Sequence, residues 1–529
     1  MKIVTTAEMV RIEQASDAAG HSYGAMMELA GRAAAAATVR HMHPWDREGG
    51  ALVLVGPGNN GGDGLVAARY LHQWQPQRPV SIHCWQRKPE GDDNYDAARR
   101  LRLPIVHAED DPDFEQLQEL ALGADVIIDA LLGTGVARPI GGALADLLSA
   151  VRDGIARQQQ EEALADADLD PNEPSNALSA AQALRPIADF DFLRLPAFGP
   201  ARLPQVVAVD CPSGLNCDTG VLDPASLVAD LTVTFANPKM GHFVAGGPAA
   251  RGRLEVADIG VDPDLAGDVA VQLATPEFVR ALLPARPVDG HKGAFGKALV
   301  VAGSINYTGA AHLAGAAAYR AGAGLVTLGV IPSIHPILAA ASLETTWLLL
   351  PEELGVVGPE AVKTLAEKAA DYDALLVGPG LTQEKEAVQF TQRLLGIGER
   401  RRASVGFVPS QTASPPKHES AAEPAADAGP NVGFLARGRA HASAADPDAL
   451  RRLPWVIDAD ALNALAQSEH WQEHLPPRAI LTPHPGEMAR LCGCTTSAVQ
   501  ADRIGLARAK AAEWNAVIVL KGAYTVVAA

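Results

Sequence analysis

Three strings in the first half of the chain put carboxylates and amides where an apolar strand stops. They are Val53-Leu54-Val55-Gly56-Pro57-Gly58-Asn59-Asn60-Gly61-Gly62-Asp63-Gly64, Val126-Ile127-Ile128-Asp129-Ala130-Leu131-Leu132-Gly133-Thr134-Gly135 and Val206-Val207-Ala208-Val209-Asp210-Cys211-Pro212-Ser213-Gly214. Glycine at such a turn lets the backbone approach a ligand, and the free amides of a first helical turn favour an anion. A phosphorylated ligand is the expectation. In parallel α/β sheets, strand ends of one polarity share an edge where ligands bind, so Asn60, Asp129, Asp210 and Ser213 are expected to converge. A single strand-end acid is more often the N-cap of the next helix. Three, each beside glycine, favour a site.

Gly56-Pro57-Gly58-Asn59-Asn60-Gly61 fits the G-x-G-x-x-G pattern of dinucleotide sites, but the acid that would grip a ribose about 20 residues on is replaced by Val80-Ser81-Ile82-His83. Proline at the second position and paired asparagines suit a sugar, a ring carboxamide or a cation better than pyrophosphate alone. In the second half, His291-Lys292-Gly293-Ala294-Phe295-Gly296-Lys297 is not a phosphate-binding P-loop. Five residues separate Gly290 from Gly296, Ala298 follows Lys297, and the strand comes after the turn.

Elements that must position these residues alternate along the chain. Residues 5–42 read as helix. Strands are expected at 51–55, 80–85, 124–129, 205–210 and 230–235, then at 298–302, 324–331, 374–378, 455–458, 479–482 and 517–521. Such alternation predicts mostly parallel sheets covered by helices. Two polar, proline-dotted stretches, about 157–204 and about 399–452, read as surface insertions.

At 529 residues the chain exceeds one core's usual size. A net charge of -18 argues against non-specific binding to nucleic acid or anionic membranes. Five scattered cysteines suggest a reduced cytosol, and Cys492-Gly493-Cys494 is too tight for a zinc knuckle. The first residues lack the apolar stretch of a leader, and no apolar run reaches a membrane span. A cytoplasmic protein is expected.

The strings Asn59-Asn60-Gly61-Gly62-Asp63-Gly64, Asp129 to Gly135 and Asp210-Cys211-Pro212-Ser213-Gly214-Leu215 together resemble the NAD(P)H-hydrate epimerase domain, also called the YjeF N-terminal domain, over about residues 1–265. The resemblance implies substrate contacts from Asn59, Asn60, Gly61, Gly62 and Asp63, from Gly133, Thr134, Gly135, Val136, Ala137, Arg138 and Pro139, and from Asp210. It also implies a potassium ion on Asn60, Asp129 and Ser213. In the hydrate, the ring nitrogen expels the neighbouring C6 hydroxyl as water, and water returning to the other face inverts the centre. Asp210 is the expected proton shuttle. Lys239 is either its assistant or a surface or phosphate-holding lysine, and His242 is expected to be structural.

In the second half, the order of Gly303-Ser304-Ile305-Asn306-Tyr307-Thr308-Gly309-Ala310, Gly378-Pro379-Gly380, Asp458-Ala459-Asp460-Ala461-Leu462-Asn463, Thr482-Pro483-His484-Pro485-Gly486-Glu487 and Lys521-Gly522-Ala523 resembles the ADP-dependent NAD(P)H-hydrate dehydratase. That implies hydrate contacts at Ala310, Gly380 and His484, an adenine nucleotide on Lys521, Gly522, Ala523, Tyr524 and Thr525, and magnesium with ADP as co-substrate. The expected fold class is α/β in two domains: a Rossmann-like three-layer α/β/α domain over 1–270 and a ribokinase-like domain over 271–529. The family's glycine-aspartate turn has no counterpart after Thr525, so the second domain is expected to be incomplete at its C-terminus and its activity doubtful. The expectation is a bifunctional repair enzyme acting on NADH hydrate, NADPH hydrate and ADP, with no nucleic-acid or membrane partner and homo-oligomerisation left open. The alternative is an epimerase alone, or a nucleotide-binding module with an inactive second domain.

Overall fold

A computed structural model describes residues 1–41, 49–135, 138–167, 204–398 and 449–529, which fall into two units, Met1–Pro284 and Ala285–Ala529. The first unit is built on strands β1 (Gly50–Val55), β2 (Val80–Cys84), β3 (Ile105–His107), β4 (Ala124–Ala130), β5 (Gln205–Val209), β6 (Leu231–Phe235) and β7 (Arg253–Ala257). They form one parallel sheet in the order β3-β2-β1-β4-β5-β6-β7. The chain order reverses between β1 and β4, the kind of switch point at which α/β sheets bind ligands.

Both faces of this sheet are covered. Val53, Val55, Val126, Ile128, Val207 and Val209 pack into one apolar cluster, while Leu52, Leu54, Ile127, Val206 and Ala208 pack into another on the opposite face. The alternation follows from the two-residue period of a strand, and near-continuous apolar strands result because neither face meets water.

The expected single helix over 5–42 is two, Thr6–Ala18 and Tyr23–His41. Gly20, at φ +100°, breaks it. Thr5 and Glu8 close a reciprocal cap at the start of the first helix. Two insertion limits also move. Residues 157–167 continue the helix Ala143–Ala167, and at the far side of the second insertion Leu450–Arg452 forms a 3-10 turn with Leu450 buried. The middle of both insertions, like Val136 and Ala137, lies outside the described residues.

The second unit has strands β8 (Lys297–Val301), β9 (Leu325–Val330), β10 (Thr346–Leu349), the hairpin β11 (Glu352–Glu353) and β12 (Val356–Val357), then β13 (Ala374–Val377), β14 (Trp455–Ile457), β15 (Ile480–Leu481), β16 (Val517–Leu520) and β17 (Val526–Ala528). The main sheet runs β10-β9-β8-β13-β14-β15-β16-β17 and is parallel except for β17, which returns antiparallel along β16. Its five consecutive strands β8, β13, β14, β15 and β16 end beside one another. The turns singled out in the second half of the sequence, from Gly303 to Lys521, therefore share one edge.

Candidate functional sites

At the end of β1, glycine is required for close approach. A Cβ on Gly56 would stand 1.8 Å from the Leu131 carbonyl oxygen, and one on Gly61 would stand 2.0 Å from that of Gly56. The turn is thus packed onto the end of β4 before the helix Asn59–Trp74 begins. Asn60 crosses the gap and donates Nδ2 to the Leu132 carbonyl at 2.8 Å, while its Oδ1 is buried without a hydrogen-bond partner among the described residues. Arg87, after β2, braces the same turn: it donates to the carbonyls of Gly56 (3.1 Å) and Gly58 (2.6 Å) and pairs with Asp92 (2.6 Å).

Asp129, fully buried on β4, receives the Ser213 hydroxyl at 2.6 Å and the Ser213 amide at 2.7 Å. Burial raises its pKa against these hydrogen bonds. Ser213 Oγ in turn accepts the Leu132 amide at 2.9 Å. Asn60, Asp129, Ser213 and the Gly133 turn are therefore one contiguous cluster, with Gly133 against Asn60. Thr134 is half-buried beside them; Gly135, Arg138 and Pro139 are exposed.

Asp210 stands at the end of β5 with φ +63°, a region that a non-glycine residue seldom occupies and that favours functional sites. Its amide donates to the Val233 carbonyl at 2.8 Å, and its Oδ1 accepts from Thr234 Oγ1 at 2.8 Å and from Lys239 Nζ. Lys239 is 1% exposed and also donates to Thr234 Oγ1 at 2.9 Å. It is not a surface lysine. Burial pushes the Asp210 carboxyl up, but the Lys239 ammonium and its hydrogen bond outweigh that and hold it below the usual carboxylate range.

His242 is fully buried, and burial lowers it to about 3, so the ring is neutral. Its Nδ1 accepts the Lys239 amide at 3.2 Å, which leaves the ring proton on Nε2, facing Cys211 Sγ at 3.1 Å. Cys211 and Cys217, which the sequence suggested as scattered thiols, are paired; Cys84, Cys492 and Cys494 are free.

Two further residues of this cluster carried no sequence signal beyond an amphipathic helix and an alternating strand. Glu13, on the helix Thr6–Ala18, feels Lys239 and Asp210, and burial raises its pKa. Thr234 is the second hydroxyl-bearing residue of Leu231-Thr232-Val233-Thr234-Phe235. Asp63, the fifth residue of the helix Asn59–Trp74, is 9% exposed.

In the second unit, Gly380 has φ +68°, and a Cβ there would lie 2.7 Å from that of Ala310, so these two predicted contacts touch. His484 caps the helix Pro485–Cys492: its Nδ1 accepts the amides of Gly486 (3.0 Å) and Glu487 (3.4 Å). Its Nε2 faces the carboxylate of buried Glu487 at 3.3 Å. Lys521 Nζ bridges Asp458 (2.6 Å) and Glu487 (3.8 Å). Arg503 holds the Lys521 turn by donating to the carbonyls of Leu520 and Lys521, both at 3.1 Å. Gly522 has φ +144°, Thr525 Oγ1 donates to its carbonyl at 3.1 Å, and Ala523 and Tyr524 are exposed. Asp460 instead accepts the Thr382 amide at 2.9 Å and orders the turn after Gly380.

Two parallel α/β sheets, each with glycine turns and paired charges at its carboxyl edge, define a two-unit protein built to hold nucleotides. A family model described as YjeF-related protein N-terminus matches residues 24–161 and 194–241, and one described as NAD(P)H-hydrate dehydratase matches 298–397 and 438–529. The bifunctional NAD(P)H-hydrate repair enzyme of Moorella thermoacetica is 33% identical over 539 residues, covering 100% of this chain and 82% of that protein. The enzyme of the same description from Salinibacter ruber is 31% identical over 529 residues, covering 95% and 77%. A solved ADP/ATP-dependent NAD(P)H-hydrate dehydratase from Bacillus subtilis is 28% identical, covers 49% of this chain and 69% of that one, and has a TM-score of 0.32. The chain belongs to the family of bifunctional NAD(P)H-hydrate repair enzymes.

Proposed function

We propose that the first unit epimerises the R and S hydrates of NADH and NADPH, and that the second dehydrates the S-hydrate at the expense of ADP. The observation that carries the reading is the buried Asp210–Lys239–Thr234 set at the ligand edge of the first sheet, beside turns where only glycine fits. Asp210, kept ionised, takes the proton of incoming water and stabilises the cationic ring left when the C6 hydroxyl departs. Lys239 and Thr234 fix the carboxylate, so it need not reorganise as charge develops. Backbone amides of Asn59 to Gly61, ahead of the first intrahelical bond from Gly62 to Gly58, would bind a phosphate.

Potassium suits Asn60, Asp129 and Ser213. The unpartnered Asn60 Oδ1, the Asp129 carboxylate and the Ser213 hydroxyl are oxygen donors around one turn. A bound cation would offset the charge on Asp129 and order the Gly133 turn. In the second unit, Asp458 and Glu487 are hard oxygen donors of the kind that hold magnesium together with substrate phosphates. The ion would neutralise charge on the transferred phosphoryl group. Lys521 would leave Asp458 for an ADP phosphate, while His484 and the Ala310–Gly380 contact would seat the hydrate. No helix among the described residues is long and apolar enough to cross a membrane.

Incubating the chain with one pure NADH-hydrate epimer in potassium buffer should produce the other. Adding ADP and magnesium should then restore NADH absorbance. Failure of the first step above the spontaneous rate would overturn the epimerase reading, and failure of the second alone would leave the chain an epimerase.

A further inference from the structure

We propose that Arg490 and Asn463 form a phosphate subsite in the second unit, which takes the diphosphate of the dinucleotide hydrate. The inference rests on the dehydratase reading above. A dinucleotide is much longer than the contact of Ala310, Gly380 and His484 that would seat its hydrated ring, so its charged middle must cross a neighbouring surface. With a net charge of -18 the chain as a whole repels such a group, and that surface must supply local donors.

One such surface borders the ring contacts. A depression of about 370 Å3 is lined by Gln383, Asn463, Ala466, Gln467 and Arg490, a size within the about 300–1,000 Å3 of small-molecule sites. Its walls follow three strands that are neighbours in the sheet. Gln383 comes three residues after Gly380 in the turn that follows β13, Asn463 lies on the helix Ala459–Leu465 after β14, and Arg490 lies on the helix Pro485–Cys492 after β15. Helical side chains lean back toward the N-terminus, and Arg490 does so: a Cβ on Gly486 would stand 3.8 Å from its Nη1. The guanidinium is thereby brought to the His484 turn, at the ligand edge of the sheet.

The lining presents donors. Arg490 Nε donates to Asn463 Oδ1 at 2.8 Å. With that oxygen taken, Asn463 offers the hydrogens of Nδ2, and neither that atom nor Arg490 Nη1 and Nη2 has a hydrogen-bond partner among the described residues. No carboxylate is among the five lining residues. Asp460, on the same helix as Asn463, is engaged by the Thr382 amide at 2.9 Å and the Gln383 side chain at 3.2 Å, and Gln467 donates to Gln383 Oε1 at 2.8 Å. A forked guanidinium beside a carboxamide N–H matches the oxygens of a phosphate ester. Both the hydrate and ADP carry a diphosphate. The walls follow β13, β14 and β15, whereas the Lys521 turn follows β16, on the far side of β15, which assigns the depression to the hydrate.

The test adds S-NADH hydrate, without ADP, to the full chain and follows amide hydrogen exchange in 378–383 and 459–492, which reads binding to the second unit apart from the first. Arg490→Gln should bind the hydrate about tenfold or more weakly, and Arg490→Lys, which keeps the charge and loses the fork, should fall between. The hydrate of reduced nicotinamide riboside, which has no phosphate, should bind all three proteins alike, and their ADP affinities by calorimetry should agree. Unchanged affinity of Arg490→Gln for S-NADH hydrate, or an equal loss for the riboside hydrate, would overturn the subsite; a matching loss of ADP affinity would give it to ADP and overturn the assignment. Arg490 is exposed, so both variants should melt like the wild type. If Arg490→Gln does not melt cooperatively, Arg490→Lys decides: weaker binding of S-NADH hydrate alone supports, unchanged binding refutes. A wild type with no hydrate-dependent protection in these segments would sink the dehydratase reading itself, whereas equal protection in wild type and Arg490→Gln would sink only the subsite.

Discussion

Replacing Lys239 with methionine keeps most of the buried volume and removes the ammonium from Asp210. At about 4 Å and an effective dielectric near 20, two unit charges attract by about 4 kcal/mol, which corresponds to about three pKa units. With Lys239 gone, burial is the largest influence left on Asp210, and the carboxyl should move from below the usual range to above it. The sign of the stability effect follows. A depressed folded-state pKa contributes stability that is present above the unfolded value and lost as pH falls through the folded one. The variant reverses this, so its deficit relative to wild type, about 3–5 kcal/mol for a buried charge left unpaired, should be largest at neutral pH and shrink toward pH 4. In turnover, the acid limb of kcat/KM for epimer interconversion should move up toward neutrality. Chromatographic separation of the epimers against time reads the rate, and thermal melts across pH read the stability. An acid limb and a pH-dependence of melting both unchanged in Lys239→Met would refute the argument that Lys239 sets the state of Asp210.

Other outcomes follow from the same structure. His83 is fully buried, neither ring nitrogen has a hydrogen-bond partner among the described residues, and Nε2 lies 3.9 Å from Asp111; burial lowers the ring to about 4, so protonating it costs the fold about 3 kcal/mol as pH falls from 6.5 toward 4. His83→Leu should flatten the acid decline in melting temperature, and an equally steep decline would show that other groups control it. Exchanging potassium for lithium should weaken hydrate binding measured by calorimetry, because the smaller ion cannot span Asn60, Asp129 and Ser213; equal affinity in both salts would remove the site. Lys521→Ala should weaken ADP binding by about tenfold, the scale of one charge-assisted contact of about 1.5 kcal/mol, while leaving epimerisation intact. Unchanged ADP affinity would mean that the ammonium stays with Asp458.

Much of the sheet architecture was legible because fully buried parallel strands appear as short apolar runs closed by glycine and acid, as in Val126-Ile127-Ile128-Asp129. The strands that escaped notice lack that signature. β3 is half-buried along its length, β7 alternates charge with apolar residues in Arg253-Leu254-Glu255-Val256-Ala257, and β10 to β12 and β17 lie at sheet edges or in a hairpin. The convergence of Asn60, Asp129 and Ser213 followed from strand polarity alone. The partnership of Lys239 with Asp210 did not, since nothing local in Asn237-Pro238-Lys239 distinguishes a buried lysine from an exposed one; only the pairing of β5 with β6 brings the two together. Glu13 was hidden for the same reason. The isolated bridge between Val4 and Lys239 anchors the start of its helix beside the site, a contact 235 residues away in sequence.

The central claim is that Asp210, held ionised by Lys239, performs the proton transfer of epimerisation. The direct measurement is the rate of interconversion of pure NADPH-hydrate epimers by wild type and by Asp210→Asn, in potassium buffer, with hydrate affinity measured alongside. The account predicts wild-type turnover well above the spontaneous rate and a loss of about 10²-fold or more in Asp210→Asn with binding largely kept. Equal turnover by the two proteins would contradict it.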